Sequence, residues 1–345
     1  MVFRQEYGID LGSDVVKIYA VKRDTIVKEK NMIAVIDGNS CLATGNEAYE
    51  MYEKTPDNIR VSTPMADGMI ADITYLEIIL YTLLKKTGRF VGRDPLLFFT
   101  VPTDMTEIEK RAYYSLARVG ELRKSKVYLV HRPIADAVAL GIAIKTTKGE
   151  MIVNIGAQST EISVIADARV ILSRVCPMGG CTLDQAIVDD VRRKQQLFIG
   201  HRTAVRLKTS MANLGQDRKE ARKAIGISSV TGLPKEIPVT EGVVSEACRR
   251  TMARIAEEIR TVMERTPPQV RAYVQKEGFH LMGGTSALPG IDRYLADELD
   301  CPVVVSQFSD DGTIHGLREI LLSHDLRKAW AFPAKKQSRR KQSYL

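Results

Sequence analysis

The sequence of 345 residues lacks an apolar run of about 20 residues, the length that a membrane-spanning helix needs. Its start, Met1 to Glu6, becomes charged too early for a signal peptide, so we expect a cytosolic protein. The 5 cysteines are scattered along the chain without a CxxC pair. This spacing indicates neither a disulfide framework nor a zinc site, and reduced thiols are expected.

Aromatic residues are also few, at 6% of the chain, but 44% hydrophobic and 27% charged residues are typical of a globular protein with room for two lobes. Lys and Arg number 50 against 42 Asp and Glu, a net charge of +8. Five of these charges belong to residues 334–345, which contain no acid, so the rest of the chain carries +3. Such a tail is either a solvated end or a contact for an anionic membrane. Nucleic-acid binding is not indicated, because the rest of the sequence has no basic patch with interleaved aromatic residues.

Two segments share one plan of apolar strand, polar residue, glycine turn and β-branched strand. They are residues 7–21 and residues 150–165. The repeat predicts two similar lobes that face a cleft, each offering the backbone amides of its turn to an anion. A third turn, Gly283-Gly284, follows another predicted strand and would let backbone approach a flat ligand such as a base.

Helical and strand patterns alternate between these turns. Apolar spacing and capping residues predict helices at 70–86, 107–119, 134–143 and 251–264, a mostly helical stretch at 183–224, and strands at 96–102 and 126–130. This alternation predicts an α/β fold.

Several ordered stretches then resemble the MreB-like bacterial actins of the actin/Hsp70/sugar-kinase superfamily. Besides the three turns they are 55–59, 64–72, 101–103, 106–112, 203–204, 231–234 and 266–268. The resemblance covers about residues 7 to 320, and it implies a duplicated actin-like (ribonuclease H-like) fold around a central nucleotide cleft. It further implies a lobe I core (1–30, 70–140 and 305–332) with a small subdomain (31–69), a lobe II core (141–180 and 245–304) with a small subdomain (181–244), and a basic disordered tail (333–345).

The resemblance also implies which residues would bind ATP and Mg²⁺. Asp10 would face the water shell of the metal, and Gly12 and Ser13 would donate to phosphate. The other implied contacts are the second phosphate loop (Asn154, Gly156, Ser159 and Thr160), the adenosine backing (Gly283 and Gly284) and a base or ribose contact (Lys208).

The sequence departs from this family at residues that would carry the chemistry. Relatives have Glu-Pro where this chain has Arg132-Pro133, and that Glu positions the attacking water. Arginine has no acceptor and keeps its proton at neutral pH, so it cannot take this role. Asn154 replaces an Asp and removes one negative charge from the Mg²⁺ environment.

Smaller changes surround the same ligand. Ala157 and Gln158 replace loop glycines, and Val205 replaces a Glu that would bond the ribose. Each change has a neutral explanation in loop or helix packing, but together they predict weak nucleotide binding and lost or very slow hydrolysis. Ser159 is the one remaining candidate for positioning water. We also expect Arg132 to fill the vacated cation position by pairing with Asp10.

The resemblance implies a filament-forming protein of cell-shape determination at the inner face of the cell membrane. Phe90 and Val91, flanked by basic residues, would dip into an anionic bilayer, although Phe90 could instead pack on its own lobe. The implied partners are further copies of the chain, the cell-wall elongation machinery and an MreB paralogue. Alternatives are an active ATPase filament, a chaperone-like relative or a non-polymerising adaptor.

Overall fold

The computed structural model describes residues 4–38, 40–88, 91–92, 94–117, 122–215 and 219–334. Its strands are, in chain order, β1 (Glu6–Leu11), β2 (Val15–Ala20), β3 (Thr25–Lys30), β4 (Ile33–Ile36), β5 (Ser40–Thr44), β6 (Ile59–Ser62), β7 (Met65–Ala66), β8 (Met69–Ile70), β9 (Leu96–Val101), β10 (Lys126–His131), β11 (Glu150–Ile155), β12 (Thr160–Ala166), β13 (Arg169–Cys176), β14 (Leu197–Phe198), β15 (Ala221–Ser228), β16 (Pro234–Thr240), β17 (Phe279–Met282), β18 (Val303–Val305) and β19 (Phe332–Pro333).

The helices alternate with these strands. They are α1 (Asn46–Met51), α2 (Ile73–Lys86), α3 (Glu107–Leu116), α4 (Arg132–Ala139), α5 (Gly180–Gln195), α6 (His201–Met211), α7 (Glu241–Arg265), α8 (Pro268–Glu277), α9 (Ile291–Leu299), α10 (Gly312–Leu322) and α11 (His324–Trp330). Among the described residues, no helix is both long enough and apolar enough to cross a membrane.

Two large sheets carry the fold. One has six strands in the order β19-β10-β9-β1-β2-β3, and the other has five in the order β13-β12-β11-β17-β18. Both predicted hairpins are present, with β1 antiparallel to β2 and β11 antiparallel to β12. Each first strand also pairs in parallel on its other side, with β9 and β17 respectively. The sheets therefore repeat one local topology, as the sequence repeat predicts.

Smaller sheets extend from each half. One contains β5-β4-β6, another contains β14-β15-β16, and β7-β8 form a short ribbon. The division into four subdomains stays a prediction.

Helices α4 and α10 pack against each other at the centre of the molecule. At Gly316 an added Cβ would lie 1.7 Å from the carbonyl oxygen of Ala135, so only glycine permits this close crossing. A shared apolar cluster joins Val130 and Ile134 with Ile152 and Met282, which lie in the five-stranded sheet. This cluster fixes the two hairpin turns on facing sides of a cleft.

Several predicted boundaries move. Helix α4 begins two residues before the predicted start at 134, because Pro133 fits the first turn of a helix. Helix α7 begins at Glu241 rather than 251, and the helical prediction for 183–224 is wrong at its end, where β15 begins at Ala221. Pro333, predicted as the first tail residue, instead pairs with Tyr128, and residues 335–345 of that tail lie outside the described residues.

Candidate functional site

A cavity of about 590 Å³ lies where the three glycine turns converge. Its walls come from the β1–β2 turn, the β11–β12 turn and the residues after β17, with α5 and α6 on one side. Its volume falls in the range of about 300–1,000 Å³ that small-molecule sites occupy. Most predicted site residues line it, namely Asp10, Gly12, Ser13, Asn154, Gly156, Ser159, Lys208, Gly283 and Gly284.

The first turn places Asp10 at the cavity floor. Its carboxylate accepts a hydrogen bond of 2.7 Å from the Thr100 hydroxyl. An added Cβ at Gly12 would lie 2.4 Å from the carbonyl oxygen of Val15, so the tight turn requires glycine. The Gly12 carbonyl accepts from the Asn31 side chain at 2.9 Å, which holds the turn in place.

Lys17 was missed by the sequence reasoning and is a second cation at this floor. Its side chain is 8% exposed, and its Nζ lies 3.9 Å from Asp10 Oδ2 and 3.7 Å from Asp310 Oδ2. The ammonium also donates to the Asp310 carbonyl. The sequence offered no clear signal, because a lysine between Val16 and Ile18 is also the ordinary pattern of a strand with one solvent-facing side.

Arg132 lies in the cleft but does not pair with Asp10 as expected. Its Nη1 lies 3.1 Å from Glu161 Oε2, and the side chains are 14% and 4% exposed. The prediction failed because β12 turns Glu161 toward the start of α4, and its carboxylate is the nearer anion. Burial raises the pKa of Glu161 to about 7, although the Arg132 guanidinium acts in the opposite direction.

The second turn uses its polar groups internally. The Asn154 amide donates to Asp136 Oδ2 at 2.9 Å, and the Thr313 hydroxyl donates to Asp136 Oδ1 at 2.6 Å. Burial raises the pKa of Asp136 to about 6, while these hydrogen bonds act in the opposite direction. Asn154 is therefore a donor to a buried carboxyl rather than a free ligand.

The side chains of the adjacent residues Ser159 and Thr160 point in different directions. Ser159 lines the cavity, whereas Thr160 is fully buried and its hydroxyl donates to the Met178 carbonyl at 2.7 Å. Successive side chains of a strand point to opposite faces, so Thr160 and Glu161 cannot both face the cleft. The structure thus assigns to Glu161 the cleft-facing position that the sequence reasoning gave to Thr160.

The predicted adenosine backing is formed from backbone. Gly283 has φ +88°, and an added Cβ would lie 2.4 Å from the Ile155 carbonyl oxygen. At Gly284, which lines the cavity, an added Cβ would make only an ordinary van der Waals contact, 3.6 Å from Asp310 Cβ. Lys208 donates to the Gly180 carbonyl at 2.9 Å and to Asp184 Oδ2 at 2.8 Å.

The mouth of the cleft is bridged by Arg202. Its guanidinium donates to the carbonyls of Tyr49 and Glu50 at 3.3 Å and 3.2 Å and to the Glu50 carboxylate at 3.2 Å. Glu53 in turn accepts from the backbone N–H groups of His201 and Arg202 at 2.6 Å and 3.2 Å. These contacts hold α1 against the start of α6.

Of the two predicted membrane residues, Val91 lies in the described part of the chain. Val91 is 7% exposed within an apolar core, and its carbonyl accepts from the Tyr7 hydroxyl. The Val91 part of the prediction is therefore wrong for this conformation, because the side chain packs inward. Phe90 lies outside the described residues.

The cavity has room for a nucleotide. Glycine turns on three sides leave space for phosphate and base, and Lys17, Arg132 and Lys208 lie in its walls, each beside a carboxylate. Asp10 already faces Lys17, and Asn154 adds an amide donor instead of a carboxylate. Mg²⁺ takes carboxylate and water oxygens, so these residues offer it less than the family pattern does.

Comparisons with known proteins agree with this arrangement. The sequence profile of the MreB/Mbl protein family matches residues 4–328. The cell shape-determining protein Mbl of Bacillus subtilis (strain 168) is 34% identical over 310 residues, 89% of this chain and 92% of that protein. The cell shape-determining protein MreB of Escherichia coli (strain K12) is 30% identical over 315 residues, with 89% and 90% covered.

Solved structures share the fold. MreB5 of Spiroplasma citri bound to AMPPNP superposes with a TM-score of 0.88 at 25% identity, covering 94% of this chain and 97% of that one. A MamK double helical filament gives a TM-score of 0.77 at 19% identity, covering 93% and 99%. The predicted actin-like α/β fold is confirmed, and the chain belongs to the MreB/Mbl family of bacterial actins.

Proposed function

We propose that this protein is a cell-shape-determining, self-associating actin-like scaffold that binds a nucleotide in its cleft and hydrolyses it slowly or not at all. Membership of the MreB/Mbl family supports the cell-shape role. Structures of a relative bound to ADP and to AMPPNP support nucleotide binding, and the MamK filament supports self-association.

The ion pair between Arg132 and Glu161 is the observation that carries the slow-hydrolysis proposal. Water attack on a phosphate needs an acceptor that orients the water. Arg132 has no acceptor, and it holds one oxygen of Glu161, a carboxylate that lines the cavity. The pair therefore puts a cation where relatives have the water-positioning Glu, and it engages one of the two oxygens of Glu161.

Phosphate binding would rest on the cations of this chain. Lys17 is fixed at the floor between Asp10 and Asp310, so its charge is in place without a metal. Mg²⁺ would neutralise phosphate charge when bound, and Asp10 would hold it through water. We expect a smaller dependence of nucleotide affinity on Mg²⁺ than a carboxylate-rich site would show.

A fluorescence titration with ATP, in EDTA and again in MgCl₂, tests this part of the proposal. Measurable binding in EDTA that weakens in Lys17→Met supports it. Tight binding only with Mg²⁺, unchanged in Lys17→Met, contradicts it. Lys28→Met is the matched control, since Lys28 lies on the neighbouring strand β3 and pairs with Asp311 near the surface.

A second candidate is an active ATPase filament, which one observation favours. Glu161 Oε1 is buried and has no hydrogen-bond partner among the described residues, while its carboxylate lines the cavity. With a pKa raised to about 7, Glu161 is suited to accept a proton from water. Steady phosphate release that Glu161→Gln abolishes would establish this candidate.

We further propose a location at the inner, cytoplasmic face of an anionic membrane, with the elongation machinery and an MreB paralogue as partners. The basic residues 335–341 and Phe90 carry this proposal, without Val91. Liposome co-sedimentation of a Phe90→Ser variant that also lacks residues 335–345 tests it. Retained binding to anionic vesicles would contradict it.

Electron microscopy separates the scaffold from a non-polymerising adaptor. Filaments with and without ATP support a nucleotide-independent scaffold, and filaments only with ATP support the active candidate. Absence of filaments under both conditions supports the adaptor.

A further inference from the structure

Three side chains of different chemistry meet on the lobe II side of the cleft. The Cys181 thiol, an Asp184 carboxylate oxygen and an His201 ring nitrogen lie within 4.8 Å of one another. Cys181 and Asp184 are three residues apart on α5 and so share one helix face. His201 is the first residue of α6, the helix that packs beside α5. Folding thus brings together residues that sequence spacing does not connect.

The Asp184 carboxylate offers a buried acceptor at this cluster. Its side chain is 3% exposed, and its Oδ2 accepts from the Lys208 ammonium at 2.8 Å. The second oxygen, Oδ1, is buried and has no hydrogen-bond partner in the part of the chain that the structure describes. A buried acceptor without a partner is unfavourable, and coordination of a cation would offset that cost.

The ligand types select the ion. Thiolate and imidazole favour Zn²⁺ and related transition metals, whereas Mg²⁺ and Ca²⁺ prefer sites made of oxygen alone. Three protein ligands with one free position are typical of accessible zinc sites. We propose that Cys181, Asp184 and His201 bind a zinc ion whose fourth position is open to the cleft.

Binding requires the loss of one proton. A cysteine thiol is mostly protonated at neutral pH, so the S–H proton passes to solvent as the Zn–S bond forms. Thiolate and the Asp184 carboxylate then face the two charges of the ion together with the Lys208 ammonium, which leaves a net charge of +1 for an anion from the cleft to offset.

The geometry needs only a small adjustment. Ligand atoms around a tetrahedral zinc ion lie about 3.5 Å apart, so the present spacing must close by roughly 1 Å. Cys181 and His201 are half-buried, and the His201 ring packs edge-on against Tyr52 at 6.4 Å between centroids, so the adjustment falls mainly on the Cys181 side chain. Lys208 can keep its bond to Oδ2 while the ion takes Oδ1. These side chains line the same cavity as the proposed nucleotide site, and Lys208 belongs to both, but metal binding does not require a bound nucleotide.

Titration of the reduced, nucleotide-free full chain with CoCl₂ tests the site. We expect one Co²⁺ per chain, an absorption band from thiolate-to-cobalt charge transfer, and displacement by ZnCl₂. Cys181→Ser should abolish the band and weaken binding at least tenfold. His201→Gln should keep the band and weaken binding similarly. Cys41→Ser, an exposed cysteine of the other lobe, is the matched control and should change neither.

Two results would overturn the site. They are Co²⁺ binding without a thiolate band, and Cys181→Ser binding as tightly as the unaltered chain. Circular dichroism checks that each variant folds, and His201→Gln carries the test if Cys181→Ser does not. Since the titration contains no nucleotide, a protein that fails to bind ATP could still pass it, and the two proposals fail separately.

Discussion

Replacing Arg132 with methionine would remove the cation from a buried pair while keeping most of its apolar stem. The pair is 3.1 Å long, and Glu161 is 4% exposed, so little water can replace the guanidinium. The other oxygen of Glu161 already has no partner among the described residues. The substitution therefore removes the ion-pair partner of the carboxylate.

The expected cost depends on pH because the carboxyl can protonate. Breaking a buried ion pair costs about 3–5 kcal/mol when the remaining charge cannot be neutralised. Burial has raised the pKa of Glu161 to about 7 even beside Arg132. Protonation at pH 8 then costs about 1.4 kcal/mol, since one pKa unit corresponds to about 1.36 kcal/mol. The electrostatic loss is thus at most about 1.4 kcal/mol at pH 8 and close to zero at pH 6.

The direction follows from proton linkage. An acid whose pKa is raised on folding binds its proton more tightly in the folded state. For Glu161 the ordinary pKa is 4.5 and the folded-state pKa is about 7, so its contribution to stability is complete below about pH 4.5 and is lost as the pH rises through about 7. Without Arg132 the folded-state pKa of Glu161 rises further, which extends that loss above pH 7. The free energy of unfolding of the variant should therefore be lower than that of the unaltered protein only above about pH 7.

Urea unfolding at pH 6 and pH 8 measures this difference. Arg132→Met should lower the free energy of unfolding at pH 8 only, and Arg132→Met with Glu161→Gln should recover most of the loss. Lys223→Met breaks an exposed pair with Glu236 and should cost less than about 0.5 kcal/mol at both pH values. An equal loss at both pH values, or no recovery in the double variant, would refute the reasoning.

Three further predictions concern ligand binding. Lys17→Met should weaken ATP binding in EDTA at least tenfold, because a charge-assisted hydrogen bond contributes about 1.5–3 kcal/mol, and a fluorescence titration measures it. Arg202→Ala should speed release of a fluorescent nucleotide in stopped flow, since it removes the contacts that bridge the cleft mouth; an unchanged rate would contradict this. Gly283→Ala should abolish nucleotide binding, because its Cβ would meet the Ile155 carbonyl at 2.4 Å, whereas Gly232→Ala, with φ +71° but open space, should keep it.

The sequence could predict features that repeat or that local chemistry defines. The two hairpin turns could be predicted because their pattern occurs twice in the sequence. Helix α2 could be predicted from its apolar spacing, and at its start the Asp72 carboxylate accepts a hydrogen bond from Tyr75 N at 2.9 Å. The family pattern then supplied the cleft and most of its lining. Each of these signals is local or recurs along the chain.

Contacts between distant elements could not be predicted in this way. Arg132 reaches Glu161 rather than Asp10 because of how β12 faces α4, and strand alternation turns Thr160 into the core. Cys181 and His201 meet only through the packing of α5 with α6. Such pairings depend on side-chain directions that a single sequence does not contain.

Phosphate release by the purified full chain with ATP and MgCl₂ tests the central claim most directly. Arg132 cannot orient water, and it forms an ion pair with one oxygen of Glu161. We therefore predict that the rate of phosphate release does not exceed that of a protein-free control within the time in which bound nucleotide exchanges. Steady release that Glu161→Gln abolishes would contradict the account and identify an active ATPase.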